Sequence, residues 1–317
     1  FSSTAMGGNS SSAQASPQAS FQLEAAQNPL LLPRPLPAHT PLLIFGDSWA
    51  EDNSRTRTGP LAGVEGWPQQ LGPHLGLAVE GNFARGQTAS SSLMDQLKAA
   101  KVALADRPAV WSECLVILHS GGNDFIGAEK KYNPFAKDNF WIPHCTWGFK
   151  KKALEVVSNL QCFLTALADL GCRRFLVSDL PFTSKVPALQ VARLGHVNKR
   201  GQWLSHQMEK MLKEFQDVRS SLQAKGLEVE VGHVREPEIL NCLVGSTFGC
   251  CFSCNLFVSD LFHPNQELHG HIAEAVASLL KVERCSDQAC KKVGYAGETC
   301  FELNNTQSPE KAQSTAS

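Results

Sequence analysis

The sequence predicts an α/β fold, a three-layer α/β/α sandwich built on a parallel central sheet of about five strands. Three observations carry that expectation. Short apolar runs alternate with longer stretches of helical period. The runs are apolar on consecutive residues, as strands covered on both faces must be. Hydrophobic residues make up 43% and charged residues 19%, which is enough for a large core and excludes global disorder. At 317 residues two domains of about 150 would fit. Many α/β enzymes of this length are nevertheless one domain, and no internal repeat is visible.

Taken in order, strands are expected over residues 42–45, 77–82, 114–119, 174–178 and 228–232. Helical periodicity fills the intervals, at 66–75, 92–105, 150–170 and 189–225. A last helix over 265–281 is amphipathic, with Leu268, Ile272, Ala275, Val276 and Leu279 on one face. Strand alternating with helix implies right-handed βαβ units and a sheet covered on both sides. Ligands of such a sheet bind at the carboxyl ends of its strands. Residues 1–40 are rich in Ser, Ala and Gln, then in Pro, and carry only Glu24 and Arg34 as charges. They read as a disordered or extended leader. That leaves one domain over 41–281 and a Cys-containing extension with a polar tail over 282–317.

The charge balance excludes one class of function. Lys and Arg number 29 against 30 Asp and Glu, a net charge of −1, whereas a nucleic-acid binder should show a basic excess. No apolar run approaches the roughly 18 residues of a transmembrane helix. The chain reads as soluble, and as a monomer.

Eleven cysteines are many for a reduced cytosolic enzyme, and Asn9 and Asn304 each begin an Asn-x-Ser/Thr acceptor. Together they favour a secreted or endomembrane-lumen setting with some disulfides and at least one free or intermolecular thiol. The chain starts at Phe1 without a basic and apolar signal segment, as a processed or fragmentary sequence would. Cys114, Cys162 and Cys172 fit buried reduced thiols better than bridges. Cys242, Cys250, Cys251 and Cys254 are expected to form disulfides that stiffen the loop before residue 260. Zinc would need a second ligand pair at matching spacing, which is missing, so no metal is expected. Cys285, Cys290 and Cys300 are expected to pin the C-terminal extension.

Four segments can carry chemistry. The first strand runs into Gly46-Asp47-Ser48-Trp49, which sets a hydroxyl at the crevice and a helix N-terminus beside it, although a helix cap explains Asp and Ser equally well. The second leads into Asn82-Phe83-Ala84-Arg85-Gly86-Gln87-Thr88, where Gly86 could present its N–H or simply make a turn. The third ends in Gly121-Gly122-Asn123-Asp124, whose Asn amide could donate to an oxyanion, again with a turn as the alternative. Near the end, Asp260-Leu261-Phe262-His263-Pro264 could pair a carboxylate with Nδ1–H of His263 and leave Nε2 as a base, or start a capped helix. The other histidines show no such orienter and read as surface or satisfied core residues.

In this order the four segments resemble the GDSL-type, or SGNH, serine hydrolases, over about residues 41–281. The segments Phe45-Gly46-Asp47-Ser48, Asn82-Phe83-Ala84 and Asp260-Leu261-Phe262-His263-Pro264 are most similar to the plant-type branch of esterases and lipases. The resemblance implies the flavodoxin-like SGNH fold and a carboxylic ester hydrolase that works without a cofactor. It implies Ser48 as nucleophile, His263 as base and Asp260 as its orienter, with Asp124 the next candidate for that role. The Ser48 N–H, Gly86 N–H and Asn123 side chain would form the oxyanion hole. Trp49 departs from the family's usual Leu.

The aromatics of 125–149 (Phe125, Tyr132, Phe135, Phe140, Trp141, Trp147 and Phe149) follow the oxyanion Asn directly. Phe125, Trp141 and Trp147 are therefore candidates for an apolar wall over the substrate, or for anchors of the insert to the body. The substrate is expected to be a small-molecule, lipid or polysaccharide ester. An acyltransferase would use the same triad. A non-catalytic carbohydrate- or lipid-binding relative should have lost Ser48, Asn123 or His263, and all are present.

Overall fold

The computed structural model describes residues 31–126, 146–187, 189, 197–222, 228–247, 256–259 and 262–283. Five strands form one sheet: β1 (Leu42–Gly46), β2 (Val79–Asn82), β3 (Leu115–His119), β4 (Arg174–Ser178) and β5 (Glu230–Val234). All pairs are parallel, in the order β2-β1-β3-β4-β5. Every residue of β1 and β3 is buried, which explains why their sequences are continuously apolar rather than alternating. Eight helices are described: α1 (Trp67–Leu75), α2 (Leu93–Ala103), α3 (Val110–Glu113), α4 (Gly122–Ile126), α5 (Thr146–Asp169), α6 (Val197–Leu222), α7 (Glu236–Thr247) and α8 (Gln266–Ser278). None of these is long and apolar enough to cross a membrane.

The sequential order reverses between β1 and β3, so the crevice of this doubly wound sheet opens at their carboxyl ends. Gly46 and His119 are register partners at that end. A Cβ on Gly46 would lie 1.9 Å from the His119 carbonyl oxygen, so a glycine is required for the two strand ends to approach this closely.

Two expectations fail at the edges. Residues 31–40 belong to the body rather than to a disordered leader. Leu32 and Leu36 are buried, and Leu36 exchanges backbone hydrogen bonds with Lys281 and Glu283. Arg34 also pairs with the buried Glu230. Average composition hides such anchors, and the prolines around them lower the entropy lost on ordering the segment. The second failure is at β5, which sits two residues later than expected and ends opposite Ser178 of β4. Glu230 enters the sheet because Arg34 and Arg174 compensate its charge, a tertiary effect that apolar patterning does not register.

Cys114 and Cys172 are buried with sulfurs 3.8 Å apart and not bonded. The Cys114 contact, reinforced by burial, pushes the Cys172 thiol far up, so it stays protonated. Cys162 is exposed, contrary to its expected burial. Leu160, Phe163, Leu164 and Leu167 take the inner face of α5, and residue 162 falls outside that arc. Of the Cys242–Cys254 cluster only Cys242, half-buried on α7, is described. Cys250, Cys251, Cys254, Cys285, Cys290 and Cys300 lie outside the described residues.

If residues 31–40 are part of the folded body, Leu36→Ala should lower unfolding free energy by about 2–5 kcal/mol, the range for a fully buried leucine. Urea titration of both proteins measures this. A change within experimental error would return the segment to a loosely held leader.

Candidate active site

The hydroxyl of Ser48 lies 2.7 Å from Nε2 of His263, across 215 residues of sequence. Each side chain is delivered by a short, heavily bonded piece of backbone. The chain after β1 makes a single turn, with the N–H groups of Ala50 and Glu51 donating to the Asp47 carbonyl. Asp47 Oδ1 accepts from Trp49 N–H at 3.2 Å. No long helix opens at Ser48, as the sequence had suggested. The next is α1 at Trp67, because Asp52-Asn53-Ser54 and Gly59 break the chain into turns. On the other side, Val258 N–H donates to the His263 carbonyl and Asn265 N–H to that of Leu256, a small hairpin that presents the imidazole.

Gly86 lies beside Ser48, and Asn123 is tied to the same turn through Thr88. A Cβ at Gly86 would fall 3.7 Å from Ser48 Cβ and 2.5 Å from Glu51 Oε2, so a larger residue would fill the space beside the hydroxyl. The next residue, Gln87, has φ 61°, a left-handed conformation rare outside glycine. Asn123, in α4, donates from Nδ2 to the Thr88 carbonyl at 3.0 Å and so ties the β3 turn to the Gly86 turn.

A hydroxyl hydrogen-bonded to an imidazole, with a glycine turn beside it, is an arrangement able to support nucleophilic chemistry. The model of the GDSL-like Lipase/Acylhydrolase family matches residues 42–276. The chain belongs to this family. As a GDSL-type protein it is a carboxylic ester hydrolase. Among solved structures it resembles two variants of Axe2 from Geobacillus, one described as an acetyl-xylooligosaccharide esterase and one as an acetylxylan esterase. Their identities are 16% and 14% and their TM-scores 0.46 and 0.47, over 78% of this chain and 97% of those chains. TesA is similar at 14% identity and a TM-score of 0.42, over 76% of this chain and 98% of its own. At such identities nothing about substrate transfers. No curated protein matches the chain.

The remaining candidates of this GDSL-type site divide. Asp260 lies outside the described residues. The N-cap of α8 is Asn265, whose Oδ1 accepts from Leu268 N–H at 2.9 Å, so the helix start does not need Asp260 as its cap. Asp124 has one carboxylate oxygen on Ser90 N–H and the other on Ser90 Oγ, at 2.7 and 2.9 Å. Burial pushes its carboxyl up against those bonds. Being committed to Ser90, it is a poor second orienter for His263. Phe125 is buried and packs between Phe149 and Phe182 at 5.3 and 5.2 Å, so its ring belongs to the aromatic core at this point rather than to an exposed wall. Trp141 lies outside the described residues, as does the side chain of Trp147.

Several supporting residues escaped the sequence reading. Gln96 of α2 accepts from Gly46 N–H and donates to the Gly46 carbonyl, at 2.9 and 2.7 Å. His119 is fully buried, with Nδ1 3.1 Å from Asp47 Oδ1. Its Nε2 is 2.8 Å from Glu236 Oε2, an ion-pair contact that lies off the N–H direction. It therefore has the carboxylate orienters that the sequence did not reveal, as does His233, which meets Asp179 at 2.7 Å. Burial by itself would push His119 down, but Glu236 and then Asp47 outweigh it and hold the imidazole up at about 10. His269, also buried, accepts from Trp67 N–H at Nδ1 and meets no such carboxylate among the described residues. Burial first, then the neighbouring His263 and His119, push it down to about 3.

These two histidines set opposite limbs of the stability profile. The folded-state value of His119 is raised above 6.5, so its contribution is fully present below about pH 6.5 and is lost as pH rises through about 10. His269 is depressed, so protonation of the unfolded chain below 6.5 costs stability down to about 3. Denaturant midpoints should therefore peak near neutrality and fall by about pH 9.5, and His119→Gln should flatten that alkaline decline. An unchanged alkaline slope in the variant would mean that His119 is not charged in the fold.

Proposed function

We propose that this GDSL-type hydrolase cleaves carboxylic esters through an acyl-enzyme on Ser48. The observation that carries the reading is the 2.7 Å contact between Ser48 Oγ and His263 Nε2. In the first half-reaction Oγ attacks the ester carbonyl while Nε2 takes its proton. The N–H groups of Ser48 and Gly86 and the second N–H of the Asn123 amide would donate to the tetrahedral oxyanion. The imidazolium then gives its proton to the leaving alcohol. In the second half-reaction His263 activates a water that releases the acid, and Asp260 holds the Nδ1–H tautomer throughout. The sequence likeness to the plant-type branch, together with the cysteine count and the two acceptor asparagines, supports work in a secretory or extracellular setting.

A fluorophosphonate probe should label the wild-type protein at Ser48, and a p-nitrophenyl ester series from acetate to palmitate should reveal its acyl range. Ser48→Ala should abolish labelling and leave ester turnover near background. Equal labelling of the variant would move the nucleophile elsewhere.

Asp260→Asn should lower kcat by about 10⁴ while KM and thermal stability stay close to wild type, as for a related triad carboxylate. The amide keeps the size but loses the charge and can hold the wrong tautomer. Since Asn265 already caps α8, a loss of stability instead of turnover would assign Asp260 to the loop rather than to His263.

A further inference from the structure

We propose, resting on the serine-hydrolase reading above, that His119 is a positioning residue: a buried cation that grips both neighbours of Ser48 and so aims its hydroxyl at His263. Its grip on the preceding residue is double. The His119 carbonyl accepts Asp47 N–H at 2.9 Å, and its Nδ1 meets Asp47 Oδ1 at 3.1 Å. Its grip on the following residue is through the ring. The Trp49 indole runs parallel to the imidazole, with centroids 5.7 Å apart and planes within 5°, an offset stack. Asp47 Oδ1 also takes Trp49 N–H, so the two neighbours of Ser48 are joined to each other as well as to His119.

The far side of the ring meets a second carboxylate. Glu236, the first residue of α7, faces Nε2 at 2.8 Å and also accepts from Ser178 Oγ of β4 at 2.8 Å. The groups that face His119 are thus Asp47 after β1, Glu236 of α7 and, beyond Trp49, the neutral His269 of α8. Two carboxylates within 3.1 Å of its two nitrogens favour the charged form of the ring over the neutral one. A core histidine that only filled space would need neither carboxylate nor contacts on both sides of a reactive serine. The consequence is catalytic because a displacement of about 1 Å at a reacting atom can cost about 10²-fold in rate.

The test pairs His119→Gln/Glu236→Gln, which removes the cation and one carboxylate together, with His119→Asn, whose amide can still reach Asp47 but not Glu236. Turnover is measured per active site titrated with fluorophosphonate, alongside melting temperature. The double variant should lose about 10²-fold in kcat with KM within about twofold, and its phosphonylation rate should fall in parallel. His119→Asn should recover part of this, with a loss of about tenfold. Wild-type kcat per titrated site in the double variant, whatever its melting temperature, would overturn the proposal. Should the double variant not fold, wild-type kcat per site in His119→Asn would do the same. A wild-type protein that neither takes the probe nor hydrolyses any ester would sink the hydrolase reading and this proposal with it. A labelled wild type with an unimpaired variant sinks this one alone.

Discussion

The close approach of β1 and β3 at their carboxyl ends is the constraint on which the rest of the site depends. At Gly46 the backbone comes so near the His119 carbonyl that no Cβ fits, and Asp47 N–H closes on that same oxygen. Ser48 follows one residue later, so its position is inherited from the strand pairing rather than from a flexible loop. Gln96 adds a second clamp by satisfying both polar groups of Gly46 with one side chain. Buried backbone groups that lose their ladder partners must be paired somehow. Here the pairing also fixes where a nucleophile would stand.

Below that turn the molecule buries a carboxylate, an imidazolium and a second carboxylate in contact. Removing such charges from water is expensive, and a buried ion pair is weak evidence for stability in its own right. Its value here is geometric. Each charge fixes the orientation of another, and together they tie the turn after β1 to β3, to β4 through Ser178 and to α7 through Glu236. The neighbouring His269 shows the opposite solution. Because Trp67 N–H donates to its Nδ1, that nitrogen must keep its lone pair, and the ring stays neutral. Two buried histidines on either side of Trp49 thus hold different charges, set by whether their partners accept or donate.

The legible parts of the fold and the site are those specified by neighbouring residues. The strands at 42–46, 115–119 and 174–178 came out within a residue of expectation, because a continuous apolar run is a local signal of burial on both faces. Ser48 and His263, which the fold brings into contact, could be picked out because each sits in a short motif at a strand end or before the last helix. What failed depended on partners distant in sequence. Asp47 is 72 residues from His119, and Gln96 is 50 from Gly46, so nothing beside either residue announced its role. Leu36 and Arg34 likewise looked like part of a polar leader until Lys281 and Glu230 came to meet them. Phe125 stayed open between wall and anchor for the same reason, since its aromatic partners come from α5 and from the chain after β4.

The contact between Ser48 and His263 therefore closes a loop through most of the chain, and it is held by two routes that converge at the site. One runs from the sheet: β3 fixes Gly46 and Asp47, and these fix Ser48. The other runs through the helices. Asn265 caps α8, the hairpin bridge between Phe257 and Pro264 holds His263 beside that cap, and α8 packs on α1. Within this packing His269 meets Trp67 N–H and Gln266 meets Glu65 N–H. Trp49 bridges the two routes, parallel to His119 on one side and edge-on to Phe262 and His269 on the other. Tryptophan at this position supplies a rigid plane wide enough to touch both routes, where the family's usual leucine would fill volume without a face to stack on. Trp49 is thus the side chain the two routes share, its ring in contact with His119 on one route and with Phe262 and His269 on the other.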